Sequence, residues 1–355
     1  MLCPKAVTLQ IRPNRRLEVI NVMERLVEQY GPILAEYPKA LYYSYHTTAG
    51  YLEGNLCAQL NHRPDTIQAY VQSFQELFPP DAGYHHDQLH LRKELSELQR
   101  REEPRNADSH LTFIGSGLTN CVTYFNKPQT RAYFVDLDGV CGNRTRRRQT
   151  TVIGFTEEEV VARTELSIPM SKHPVDSVNL RDPHLGLFDR LQELLHRYAI
   201  TKGRIDLSLA PQERNAGLTV NEYETLLMKY DLAQVLRNPL RFAAQKGKHM
   251  LVDPGAIPIK AKNYAKYDLV LLTNRLLDVM GLSESLFERI VNKVLAVPAQ
   301  RFLQMKRSVS LLVSDQEEDQ RGSIVQGCYQ SPILVQWKKA QFQTRQLRVK
   351  LVRFR

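Results

Sequence analysis

The sequence predicts an α+β fold in which one unit is written twice. The alternation of strand-like and helix-like runs points to it, as do a near-constant offset between two sets of elements and a matching order of strands at the end of each set. In the first set, residues 6–11 (AVTLQI) alternate apolar and polar side chains, the period of a strand. Residues 15–30 then read as a helix, with Ile20, Met23, Val27 and Tyr30 on one stripe and Leu26 beside it. Residues 40–45 (ALYYSY) form a second strand that runs into His46-Thr47-Thr48-Ala49-Gly50.

The same order returns downstream. Residues 161–168 (VARTELSI) are strand-like, and residues 182–198 are helical with Phe188, Leu191, Leu195 and Tyr198 on one stripe. Residues 204–209 (RIDLSL) lead into Glu213-Arg214-Asn215-Ala216-Gly217. The offset is 168 for the helix stripes and 167 for the Ala-Gly step. In the first set, runs at 121–125, 131–137 and 146–153 follow; their counterparts are 308–313, 323–337 and 345–352, offset by about 199. The second set therefore carries an insertion, placed near residues 232–300, where VDPGAIPIK precedes a helical run at 267–277. The polar break at 154–159 divides the chain into expected domains 1–157 and 158–355. Residues 89–106 and 314–321 read as hydrophilic surface segments, the first with helix formers.

At 355 residues and 43% hydrophobic content the chain can bury two cores. Its net charge of +10 favours anionic partners without choosing among them. Five cysteines, none in a C-x-x-C pair, argue against a disulfide framework and a cysteine zinc site. The first residues lack an apolar core with a cleavage site, and no apolar run reaches the ~20 residues that span a bilayer. A cytoplasmic protein with no membrane partner is expected.

Four polar groups carry candidate chemistry: His46-Thr47-Thr48; Tyr84-His85-His86-Asp87; Asn106-Ala107-Asp108-Ser109-His110; and Asp136 and Asp138 with Arg144 to Arg148. Imidazoles near carboxylates can move protons at neutral pH or hold a divalent metal. Guanidinium groups clamp oxyanions in a bidentate way. Each signal also has a plain alternative: a lone His is more often structural, Asn-Ala-Asp is an ordinary helix N-cap, and Arg guards exposed strands. In the second set Glu213 stands where His46 stands, and Thr219-Val220-Asn221-Glu222 has no clean match in the first.

These motifs resemble the YjbQ-type family, the secondary thiamine-phosphate synthases. The resemblance rests on His46-Thr47-Thr48-Ala49-Gly50, Tyr84-His85-His86-Asp87, Asp108-Ser109-His110-Leu111 with Gly115, and, in the second set, Leu218-Thr219-Val220-Asn221-Glu222 and Gln326-Gly327. It implies two tandem YjbQ-like domains, each a β-sandwich with helices, and a homo-oligomer as the family's habit. It also implies a pocket for a phosphorylated or otherwise anionic small molecule, with thiamine-phosphate-synthase-like transfer as the enzymatic expectation. His46, His86 and His110 would be acid–base groups or ligands of a divalent metal, and Asp108 would orient a His or share the metal. Thr47, Thr48, Arg144, Arg146 and Glu222 would hold the ligand. The histidines of the first copy and Asn221-Glu222 of the second would complete one composite site; independent decay of the two copies is the plainer expectation. Two other classes stay open: a non-catalytic assembly or regulatory protein, and a nucleic-acid binder using the acid-free run 338–355 with Trp337, Phe342 and Phe354. Alternating Arg and Lys on a terminal strand is more often a solvated face.

Overall fold

Residues 5–11 pair along their whole length with residues 148–154; the first run alternates and buries Val7, Leu9 and Ile11 on one face, while the second is buried on both faces. The computed structural model that shows this describes residues 2–127, 131–142, 144–237, 305–315 and 321–355. The first sheet is antiparallel, in the order β1 (Lys5–Ile11), β9 (Arg148–Phe155), β3 (Lys39–Ser44), β5 (Cys121–Phe125). A smaller sheet orders β2 (Glu18–Asn21), β6 (Tyr133–Asp136) and β4 (Ala49–Gly50). Two short strands, β7 (Val140–Cys141) and β8 (Arg144–Thr145), pair with each other between β6 and β9. Leu9, Tyr42, Val122 and Val152 of the large sheet share a core with Ile20, Phe134 and Ala49 of the small one and with Leu26.

The expected helix over 15–30 is corrected here. Residues 18–21 pair with β6, Glu18 opposite Asp136 and Asn21 opposite Tyr133, and the helix α1 begins only at Val22 (Val22–Tyr30). Asn21 caps it, its side-chain oxygen accepting from the Glu24 N–H. The late start turns the buried face to Val22 and Leu26, and leaves Val27 and Tyr30 of the predicted stripe 47% and 43% exposed.

The helices α2 (Gly54–Gln59), α3 (Pro64–Leu77), α4 (Glu97–Glu102) and α5 (Ala107–Gly115) follow β4. Every residue of α5 is buried, so its polar side chains must find partners inside the protein.

From residue 158 onward a second large sheet forms, in the order β10 (Glu158–Pro169), β17 (Thr344–Phe354), β12 (Gly203–Leu209), β14 (Ser308–Asp315), β15 (Gly322–Val325). The small sheet beside it orders β11 (Asp176–Asn179), β16 (Ser331–Gln336), β13 (Ala216–Asn221). The helix α6 (Leu187–Arg197) buries Leu187, Leu191 and Leu195 in the same core as Ile205 and Leu207 of β12 and Leu347, Val349 and Leu351 of β17. Both large sheets set their first strand beside their last, followed by the strand that comes after the helix. After β13, a π-helical turn at Leu227–Asp231 continues into α7 (Leu232–Arg237). Residues 238–304, which take in most of the expected insertion and its helical run, lie outside the described residues.

The two sheet systems are fastened by apolar and polar contacts. Leu41, Tyr43, Cys121, Ile153 and Phe155 pack with Leu312, Val325, Val352 and Phe354. The Phe155 and Phe354 rings stack with centroids 4.0 Å apart. The buried Gln330 accepts from the Tyr43 hydroxyl at 2.7 Å and donates to the Ser44 and His46 carbonyls at 2.7 and 3.0 Å. Gly327 lies so near the Tyr45 carbonyl that no Cβ would fit between them. The fold is α+β, and among the described residues no helix is long and apolar enough to cross a membrane.

Candidate functional site

Three buried or partly buried side chains meet where the segments before and after residue 157 touch. His86 lies in the loop after α3, His110 on α5, and Glu222 just past the end of β13. One ligand atom from each lies within 4.8 Å of the other two. The imidazole rings of His86 and His110 have centroids 5.1 Å apart.

Each side chain is held by a partner on its far side. The His86 Nδ1 stands 3.0 Å from Asp87 Oδ1, an oxygen that also accepts from the Ala107 N–H at 3.0 Å. Asp87 thus caps α5 and sets the His86 ring in one step, whereas Asn106 makes no side-chain cap, contrary to its reading as an N-cap. The loop itself is fixed by Asp231 of the π-helical turn, whose carboxylate accepts from the His85 and His86 N–H groups at 3.0 and 2.9 Å. A π-turn at this point places that carboxylate against the opposite segment. His110 Nδ1 stands 2.7 Å from Asn221 Oδ1, which also accepts from the Glu222 N–H at 2.8 Å. Asn221 Nδ2 donates to the Thr47 carbonyl at 3.1 Å, so its oxygen is the atom that faces the ring.

This pattern assigns the hydrogens. Asn221 takes the Nδ1 hydrogen of His110, which leaves its Nε2 with a lone pair, while Asp87 takes that of His86, whose Nε2 faces Arg92 Nη1 at 3.4 Å. His110 Nε2 then faces Glu222 Oε2 at 3.5 Å. Burial, with the charge of His86 beside it, pushes the His110 pKa down to about 4. At neutral pH two acceptors therefore confront each other, an arrangement that a cation between them relieves. Burial also disfavours charge on His86, but its bond to Asp87 and the charge of Glu222 outweigh it and hold its pKa above the ordinary imidazole value. Asp87 Oδ2, Asp138 Oδ1 and Asn106 Oδ1 are buried in the same region without a partner among the described residues.

The other expected site residues are placed as follows. His46 does not join the cluster. Its Nε2 accepts from the Gln149 N–H at 2.7 Å, and burial with Arg148 and Arg146 nearby pushes its pKa down to about 3. It is a neutral structural imidazole, and its expected role as metal ligand or acid–base group is corrected. Asp108 orients no histidine: both its oxygens accept from Arg16 Nη2, at 2.9 and 2.8 Å, and burial lifts its pKa to about 6 against that pairing. Thr48 Oγ1 accepts from Arg148 at 3.2 Å, and Thr47 contributes its carbonyl to Asn221. Arg144 is exposed, its nearest carboxylate Glu102 being 3.9 Å away. Arg146 donates to Asp138 at 2.7 Å and stands within electrostatic reach of Glu103. His85 stacks on Tyr230, ring centroids 4.8 Å apart. The basic C-terminal run does not offer its aromatics as one face: Phe342 is exposed, Phe354 is buried against Phe155, and Arg345 is buried in a pair with Glu213.

Arg92 is the residue that the sequence does not disclose. It stands in the charged run 89–106, which reads as a hydrophilic surface segment, yet its side chain is only 2% exposed and donates to Glu94, Glu103 and Glu222. No local signal marks it, because Glu222 is 130 residues away.

No family model and no curated protein matches the chain. Solved structures are similar over about half of it. One is a YbjQ-like protein of unknown function from Sulfolobus solfataricus P2, 14% identical, covering 56% of this chain and 99% of that chain with a TM-score of 0.30. Another is a hypothetical protein from Aeropyrum pernix K1, 13% identical, covering 54% and 98%, TM-score 0.29. A third is an uncharacterized conserved protein of the YjbQ family from Clostridium acetobutylicum, 13% identical, covering 53% and 98%, TM-score 0.25.

Proposed function

We propose that the chain is a tandem pair of YjbQ-like domains, residues 1–157 and 158–355, whose junction holds one divalent metal ion and, through it, a phosphorylated or otherwise anionic small molecule. The observation that carries this is the convergence of His86 and His110 from one segment with Glu222 from the other, within 4.8 Å. The shared strand succession of the two large sheets supports the pairing of like units.

The donor set fits a zinc-type ion. Two imidazole nitrogens and one carboxylate oxygen are the protein ligands of an open zinc centre, which keeps a further position for water or substrate. His86 Nε2, His110 Nε2 and Glu222 Oε2 would be the ligands, with Asp87 and Asn221 fixing the two rings. Such an ion supplies Lewis acidity toward a phosphoryl or carbonyl oxygen. The chain's own contributions are to orient the two rings and to keep His110 neutral. Any thiamine-phosphate-synthase-like transfer would use this site, with His46 and Asp108 confined to support.

Titration calorimetry with zinc tests the reading. The wild type is expected to bind one equivalent. His110→Ala and Glu222→Gln are expected to weaken binding at least ~100-fold, and His46→Ala less than about threefold. A wild type without stoichiometric zinc, or variants at His110 and Glu222 that bind as it does, would remove the metal and the function built on it.

A further inference from the structure

Carboxylates gather around His86, His110 and the Arg92 guanidinium beside them. Asp87 touches His86, and Glu94, Glu103 and Glu222 all converge on one guanidinium. Arg92 Nε donates to Glu94 Oε1 at 2.6 Å, Nη1 to Glu103 Oε1 at 3.2 Å, and Nη2 to Glu222 Oε1 at 3.0 Å. Nη1 also stands 3.4 Å from His86 Nε2. The burial of this group is explained only by these partners, since a guanidinium keeps its charge at any physiological pH.

Oxygen-rich, multiply anionic clusters attract hard cations such as calcium and magnesium, which take six or more oxygen ligands. Imidazole-rich sites of low oxygen count favour zinc. Here the choice turns on how many carboxylate oxygens face the imidazoles. Arg92 engages one oxygen of Glu94, one of Glu103 and Oε1 of Glu222, and leaves Glu222 Oε2 pointing at His110. It also places a fixed positive charge beside His86.

We infer that Arg92 determines the metal specificity of the composite site: by holding three carboxylates it confines the donor set to two nitrogens and one oxygen and excludes hard, oxygen-seeking cations. The inference rests on the metal reading above and deepens it. Arg92 acts through Glu222 and Glu103, so it is a specificity-determining residue and not a ligand.

The experiment measures zinc and calcium dissociation constants on the full chain for wild type, Arg92→Met, Arg92→Gln and Arg92→Lys, with circular dichroism as the check on folding. Wild type is expected to prefer zinc by at least ~1000-fold. Arg92→Met is expected to gain calcium affinity about tenfold or more and to lose at least ~tenfold of the zinc-to-calcium ratio. Arg92→Gln removes the same charge with a polar side chain and gives the same readout if the Met variant fails to fold. Arg92→Lys keeps the charge and is expected to stay poor in calcium. A merely structural role would weaken both ions together and leave the ratio alone. If the wild type binds zinc and the ratio is unchanged in the Met and Gln variants, or calcium rises equally in the Lys variant, the inference is overturned while the metal site stands. If the wild type binds neither ion, the metal reading itself is overturned.

Discussion

The corner after β3 and the corner after β12 solve one problem with different residues. In the first, Arg148 opens the last strand and is buried in a bidentate pair with Asp136, both bonds 2.7 Å, while the neutral His46 accepts the next N–H, that of Gln149. In the second, Arg345, the second residue of the last strand, pairs with Glu213 at 2.8 Å, while Glu213 also accepts the next N–H, that of Gln346. Gln336, on the strand equivalent to that of Asp136, touches Arg345 at 3.3 Å without a charge. Each corner thus pairs a buried cation with an anion, which stands on β6 in the first and in the loop between β12 and β13 in the second. The lesson is that His46 serves as a backbone acceptor that a carboxylate can replace, which separates it from His86 and His110 although the sequence groups all three.

The largest expected effects come from stranding either cation. Asp136→Asn or Glu213→Gln leaves a buried guanidinium without its anion and should lower stability by about 3–5 kcal/mol in urea denaturation. A loss under ~1 kcal/mol in one of them would mean the corners are not alike. Transplanting the second arrangement into the first sharpens the point: His46→Glu with Asp136→Gln should recover about 1–3 kcal/mol relative to the sum of the single variants.

A smaller effect separates two acids by pH. Burial raises the pKa of Asp136 against the pull of Arg148, whereas Arg204, Lys350 and Ser310 outweigh burial and lower that of Asp206. The depressed acid contributes stability that is present above the ordinary carboxylate range and lost as pH falls through it, because the unfolded chain then binds the proton first. Asp206→Asn should therefore cost about 1–3 kcal/mol at pH 7, with the gap to wild type closing on acidification. A constant gap from pH 7 to pH 3 would contradict the assignment. The smallest effect is expected at the exposed Arg144, whose replacement by Ala should change stability by less than ~0.5 kcal/mol and leave zinc affinity unaltered.

Much of this is legible in the chain. The recurring order of strand-like runs anticipates two large sheets with one strand succession and sets Glu213 opposite His46, whereas the first helix stripe behind the 168-residue offset dissolves, Ile20 lying in β2 and Val27 and Tyr30 exposed. Asn221 and Glu222, read as complements of the histidines, lie beside His110. What stays hidden depends on distant pairing. Residues 18–21 look helical by spacing and become a strand because β6 lies alongside. Arg92 reads as surface until Glu222 reaches it, and Asp108 reads as a helper of histidine until Arg16 claims it. Local periodicity records which face of an element is apolar, and it carries no record of which charge waits across the fold.

Thr47 and Asn221 are 174 residues apart in sequence, yet one hydrogen bond joins them beside His110. A cluster assembled from separate chains disperses when those chains are dilute. Here the polypeptide itself keeps both contributors together, so the juxtaposition of His110 with Glu222 is independent of protein concentration. It also sets an order in time: a nascent chain emerging from the ribosome presents both imidazoles long before the carboxylate that faces them has been made.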